Sequence, residues 1–281
     1  MLRTFGTLLA IFLFSGPLHA FQDSAETMLK KLTGAEPLNG DFVLKDRYEP
    51  KNRIRAALYL MDQLSALGQK VSLEKYSEEG RNVVMEVPAT TDSKEWIVLG
   101  AHYDSVKDCP GANDNATGVV LAMEVATHIA SLPERKYNLY LVLFDEEERG
   151  LIGSKHFAGK LKEQGIKVHS AHTIDQMGWD EDGDRAIELE MPHPDLLKLY
   201  RQVAKAEGFD FPIHTTKVTS TDHRAFRQLG YRAIGLTEEY KNNDTTPHYH
   251  SATDTFETVN LAYLANTTAY MKKVFEAMMN E

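Results

Sequence analysis

The chain has 281 residues, 42% hydrophobic and 26% charged, with a formal net charge of −10. That is enough for the core of one large α/β domain or two small ones. No basic run offers a stripe for phosphates, so nucleic acid is excluded as an expected partner. The single cysteine, Cys109, leaves no internal disulfide and no thiolate pair for a structural zinc.

The first twenty residues read as an address rather than as fold. Arg3 precedes an apolar run over 8–14, Ser15-Gly16-Pro17 breaks it, and Ala20 is a small residue at a cleavage point. We expect a secretory signal over 1–20, a single domain over 21–281, and an exported protein, periplasmic or secreted. Leu18 is larger than the small residue usual three positions before such a cut, and an uncleaved anchor is the alternative. The run is short for a bilayer, and no cysteine follows it for lipidation, so no stable membrane association is expected.

In chain order, residues 23–32 read as a helix and 41–50 as a loop. Residues 52–67 carry Ile54, Leu58, Met61 and Leu64 at helical spacing, and Gly68 stops them. Residues 70–76 alternate apolar and polar, as a strand with one wet face does. Further strands are expected over 81–87, 96–101, 138–144, 168–177, 186–191 and 231–236. Helices are expected over 116–132, 150–164, 194–206 and 222–229, with a long closing helix over 255–280. Strands alternate with helices and no linker or repeat interrupts them. The expectation is therefore one three-layer α/β/α domain on a mixed, mostly parallel central sheet.

The polar residues of interest follow apolar runs. His102 follows Ile97-Val98-Leu99-Gly100, Asp175 follows Ala171-His172-Thr173-Ile174, and Asp145-Glu146-Glu147-Glu148 follows Leu141-Val142-Leu143-Phe144. In open α/β sheets, ligands collect at the carboxyl ends of strands. Four successive carboxylates at the mouth of a buried strand repel one another and resist desolvation unless a cation sits among them. Histidine and carboxylate donors without thiolate suit a hydrolytic zinc, with manganese or cobalt as alternatives. Singly, each segment has a plainer reading: Asn113-Asp114-Asn115 as a turn with a helix cap, the acidic run as a solvated face.

Three segments, in order, resemble the secreted co-catalytic zinc aminopeptidases, whose fold the glutaminyl cyclases share. They are Gly100-Ala101-His102-Tyr103-Asp104-Ser105, Pro110-Gly111-Ala112-Asn113-Asp114-Asn115-Ala116-Thr117-Gly118 and Glu147-Glu148-Arg149-Gly150-Leu151-Ile152-Gly153-Ser154. Asp175 and His250-Ser251-Ala252-Thr253-Asp254-Thr255 extend the match over about residues 50–275. The resemblance implies a zinc-exopeptidase-like fold and two zinc ions per chain. His102 and Asp175 would hold one ion, Glu148 and His250 the other, with Asp114 bridging them. Asp104 would orient His102, and Glu147 would act as general base. The Gly-Leu-x-Gly-Ser that follows sets this register; a slip of one residue would pass the roles to Glu146 and Glu147. His248 lies two residues from His250, but the His-x-x-x-Asp-Thr spacing selects His250.

Thr221-Asp222-His223 resembles a Ser-Asp-His segment common in that family and reads equally as pocket flank or helix cap. Tyr240, Trp179 and Phe226 are candidates for the pocket wall, with core packing as the plainer reading. The function implied is an aminopeptidase acting on peptides with a free N-terminus. A glutaminyl-peptide cyclotransferase, using one zinc and no hydrolytic water, is the alternative, as is a carboxypeptidase-type exopeptidase.

Overall fold

The computed structural model describes residues 21–280, and the segment read as a secretory signal lies outside the described residues. Eight strands form one sheet: β1 (Lys70–Lys75), β2 (Arg81–Val87), β3 (Glu95–His102), β4 (Asn138–Phe144), β5 (Lys167–Ile174), β6 (Ile187–Glu190), β7 (Ile213–Thr216) and β8 (Ala233–Glu238). Their order is β1-β2-β4-β3-β5-β8-β6-β7. The central four, β4, β3, β5 and β8, run parallel. β2 pairs antiparallel with β1 and β4, β6 antiparallel with β8, and β7 parallel with β6. The mixed, mostly parallel sheet is as expected.

The strands are apolar on both faces because helices cover both. One face, with Ile97, Leu99, Leu139, Leu141 and Leu143, packs under α1 (Ala25–Leu32), α2 (Pro50–Ser65), α3 (Gly118–Ser131), α5 (Pro194–Glu207) and α7 (Leu261–Asn280). The other face, with Val98, Val142 and Phe144, packs under α4 (Ile152–Glu163) and α6 (His223–Gln228). Gly100 lies on that second face, where a β-carbon would stand 2.3 Å from the Phe144 ring. These are the three expected layers.

Register brings the strand ends together. His102 lies opposite Phe144 across β3–β4, Gly100 opposite Thr173 across β3–β5, and Ile174 opposite Leu236 across β5–β8. The loops after β3, β4, β5 and β8 therefore leave from one rim.

Several expected boundaries move. The strand expected over 231–236 runs Ala233–Glu238. The strand expected to reach 177 ends at Ile174, and Gln176 turns the chain with φ 50°. The closing helix splits: a short 3-10 turn over Phe256–Thr258 precedes α7, and Asn260 caps α7 by accepting from the Tyr263 N–H at 3.0 Å. β7 is a strand that the polar His-Thr-Thr pattern does not announce. α3 starts at Gly118, after a distorted turn over Ala112–Thr117 in which Asp114 and Asn115 leave helical geometry.

Candidate metal centre

The site is assembled from the loops at that rim. His102 ends β3 and is buried. Its Nδ1 lies 3.2 Å from the Asp104 carbonyl and 3.4 Å from Asp104 Oδ1. Its Nε2 points the other way, 3.2 Å from Asp114 Oδ1 and 3.4 Å from Asp175 Oδ1. His250 Nε2 lies 3.2 Å from Asp114 Oδ2 and 3.1 Å from Glu148 Oε2. The two oxygens of Asp114 thus face two different imidazoles, each accompanied by a second carboxylate. All five residues named as ligands from the sequence meet here.

The turn that carries Asp114 is fixed by buried polar partners. Asp254 accepts the Asn113 N–H at 2.8 Å and the Asp114 N–H at 3.1 Å. The Asn113 amide donates to Glu238 Oε1 at 2.8 Å, while Glu238 Oε2 accepts the N–H groups of Gly178 and Trp179. Asn115 donates to the Ile174 carbonyl at 2.8 Å. Arg47, fully buried, donates to the carbonyls of Leu32, Tyr103, Pro110 and Gly111. These groups tie the loops after β3, β5 and β8 into one platform. Asp254 stood inside a motif already noted, and Glu238 obeys the same strand-end rule as Asp175. Arg47 lay in a loop without pattern.

Asp104 does more than face His102. Its Oδ1 accepts the Glu147 N–H at 3.1 Å and its Oδ2 the Glu148 N–H at 3.2 Å, so one carboxylate positions a ring on β3 and the acidic turn after β4. Within that turn Asp145 and Glu146 are ion-paired to Arg53, at 2.8 and 3.0 Å, and face away from the cavity. Glu147 and Glu148 line the cavity. His248 turns aside to Thr253, 2.8 Å away.

The electrostatics of the cluster are those of a cation trap. Burial, then Asp222, Asp175 and Asp104 nearby, push the Glu147 carboxyl up to about 10 against the pull of His102. Burial likewise lifts Asp175 to about 7. Burial would raise Asp114, but hydrogen bonds from His102 and His250 outweigh it and hold Asp114 well below the usual carboxylate range. Those bonds to Asp114 and Glu148 raise His250 to about 10. Protons on the two imidazoles stand where cations would neutralise the acids, and cation binding displaces them. The donor set fits such ions: two imidazoles, three carboxylates, no thiolate, and a buried Glu148 Oε1 with no hydrogen-bond partner.

The cavity above the cluster has a volume of about 700 Å³. Its wall includes Tyr240, Thr221 and Tyr249. Tyr249 is half-exposed and stacks on His250 with ring centres 3.8 Å apart, a contact the sequence reading missed. Phe226 is core, and Trp179 donates its indole N–H to Asp244 at 3.1 Å. Asp222 and His223 are buried, and neither caps α6 through its side chain. His223 instead meets the Thr221 hydroxyl at 2.8 Å and Glu190 at 3.3 Å. Cys109 is buried, and burial raises its thiol to about 11.

A family model described as "Peptidase family M28" matches residues 82–275. The aminopeptidase YwaD of Bacillus subtilis (strain 168) is 26% identical over 212 residues, which cover 73% of this chain and 46% of that protein. The LapA aminopeptidase of Legionella pneumophila has the same fold, with a TM-score of 0.80 at 22% identity over 92% of this chain and 71% of LapA. So does the glutaminyl cyclase of Bacteroides thetaiotaomicron, with a TM-score of 0.72 at 21% identity over 93% of this chain and 99% of the cyclase. The match thus spans less than half the length of YwaD but nearly the whole of the cyclase. Among the described residues, no helix is long and apolar enough to cross a membrane.

Proposed function

The chain belongs to peptidase family M28, and from that premise we propose that it is an exported di-zinc aminopeptidase that removes N-terminal residues from peptides. The observation that carries this reading is the split of Asp114, whose two oxygens face His102 and His250 at 3.2 Å each. A carboxylate so divided suits two ions sharing one ligand. Zinc is the metal the family implies, and the count of two is our inference.

Zinc in this site supplies Lewis acidity, acidifying the attacking water and polarising the scissile carbonyl. His102, Asp175 and one Asp114 oxygen would hold one ion; His250, Glu148 and the other oxygen would hold the second. Asp104 keeps the His102 ring aimed and holds the Glu147–Glu148 turn by its two N–H groups. Glu147, free of any arginine or lysine partner among the described residues, would be ionised once bound cations offset the neighbouring acids, and would then take the proton from the attacking water and deliver it to the leaving amine. The excess of buried carboxylates draws the ammonium of a free N-terminus into the cavity.

A cyclotransferase is the second reading, favoured by the end-to-end match with the cyclase fold. Against it stands the His102–Asp175 pair, a second donor set that a one-zinc cyclase does not use. Metal analysis of the purified chain, with leucine-anilide hydrolysis and glutaminyl-peptide cyclisation assayed in parallel, separates the two. We expect about two zinc ions per chain, hydrolysis abolished by chelator and restored by zinc, and no cyclisation. One ion per chain with cyclisation dominant would overturn the assignment. Export is tested by sequencing the N-terminus of the secreted protein, expected at Phe21.

A further inference from the structure

A second acidic group lies in the connection from β5 to β6, apart from the metal centre. Asp180-Glu181-Asp182-Gly183-Asp184 places three carboxylates at alternate positions, as calcium-binding loops do. Oxygens of Asp180, Asp182 and Asp244 lie within 4.8 Å of one another, and so do oxygens of Asp182, Asp184 and Glu239. Asp182 belongs to both sets and links them.

Acidic turns are common without an ion, and Glu239 is what sets this one apart. Its side chain is only 2% exposed. Oε1 accepts from Asn242 at 2.8 Å and lies 3.1 Å from His214, but Oε2 is buried with no hydrogen-bond partner. A buried carboxylate oxygen left bare beside two aspartates is costly unless a cation completes it. No lysine or arginine pairs with any of the five carboxylates among the described residues. Arg185 reaches away to Asp210, and Lys241 lies 3.4 Å from His214. Burial, with Asp184, Asp182 and Asp244 facing it, pushes Glu239 up to about 7.

We propose that Asp180, Asp182, Asp184, Glu239 and Asp244 form a calcium site that pins the 180–184 turn to the 239–246 segment. An all-oxygen set of carboxylates on irregular backbone suits calcium, which takes six to eight oxygens in flexible geometry, over the stricter octahedron of magnesium. Asp244 already accepts the Glu181 N–H and the Trp179 indole. Its neighbours Tyr240, Thr245 and Thr246 line the cavity. A cation here stiffens one wall of the cavity without touching the metal centre.

The test uses the full chain, stripped with chelator and reloaded with zinc, so that the outcome is independent of the peptidase reading. Millimolar calcium should raise Tm by roughly 5 °C with zinc content unchanged. Terbium at the site should luminesce when excited through the adjacent Trp179. Asp182→Asn and Asp184→Asn, on an open turn where folding is not at stake, should lose both responses. Glu239→Gln should raise Tm without calcium and blunt the calcium shift. Trp179→Phe should keep the shift and lose the emission. An unchanged Tm in calcium, or an equal shift in wild type and Asp182→Asn, overturns the proposal.

Discussion

Asp145 and Glu146 stand beside Glu147 and Glu148 in one run, yet the two halves are treated oppositely. The first half faces Arg53, whose guanidinium is 1% exposed and pairs with both carboxylates, and Tyr76 adds a hydroxyl to Glu146 at 3.2 Å. The second half faces the cavity, and the nearest partner for Glu148 is His250. A permanent side-chain cation faces one half, while the other, on the proposed reading, is kept for an exchangeable ion. Carboxylates in the same run would therefore serve stability on one side and, in the proposed enzyme, chemistry on the other.

Substitutions on the two sides should diverge. Glu147→Gln is expected to lower kcat by about 10²–10⁴-fold with zinc content unchanged, read by steady-state kinetics and metal analysis. Its metal-free form should be at least as stable as the parent, because a buried acid is removed. Arg53→Met should do the reverse: it strands buried Asp145 and takes from Glu146 its closer cation, at a cost of about 3–5 kcal/mol in denaturant unfolding. Adding Asp145→Asn and Glu146→Gln should recover most of that loss. If Arg53→Met is as stable as wild type, the contrast between the halves fails.

Arg47→Met sharpens the comparison from a third side, since this guanidinium holds backbone carbonyls rather than acids. Zinc affinity should fall about 10–100-fold as the loops bearing His102 and Asp114 lose their tie, measured by competition with a chelating dye. Arg47→Lys should not restore it, because a point ammonium cannot span four carbonyls.

The most gradual effect concerns pH. His172 sits in β5 between the Tyr200 and Ser170 hydroxyls, each 2.9 Å away, and burial drives its pKa down to about 3. The unfolded chain takes up this proton near pH 6.5 and the folded chain does not. Stability from the neutral ring is therefore complete above pH 6.5 and is lost toward pH 3, by about 1.4 kcal/mol per pH unit. His172→Gln should flatten that part of the Tm–pH curve, which thermal scans across the interval would reveal.

The sheet, its layers and the gathering of His102, Asp114, Glu148, Asp175 and His250 were legible because strand ends announce themselves through hydrophobic runs. What escaped reading depends on contacts distant in sequence. Nothing near Arg53 predicts that it reaches residues 145 and 146, and nothing near Arg47 predicts four carbonyls from three segments. The closing helix was read too long because Asn260, an ordinary polar residue inside an apolar period, acts as a cap only once Gly178 receives its N–H at 2.7 Å. β7 escaped because its side chains are polar and its pairing with β6 supplies the order.

The lone thiol has a practical consequence. Cys109 is 1% exposed and lies between His102 and Asp114, in the loop that Arg47 ties down through Pro110 and Gly111. A thiol-reactive dye can reach it only when that loop lifts, so the labelling rate gauges how often the platform under the candidate metal centre comes apart. The chain carries its own reporter of opening, beside the candidate metal centre.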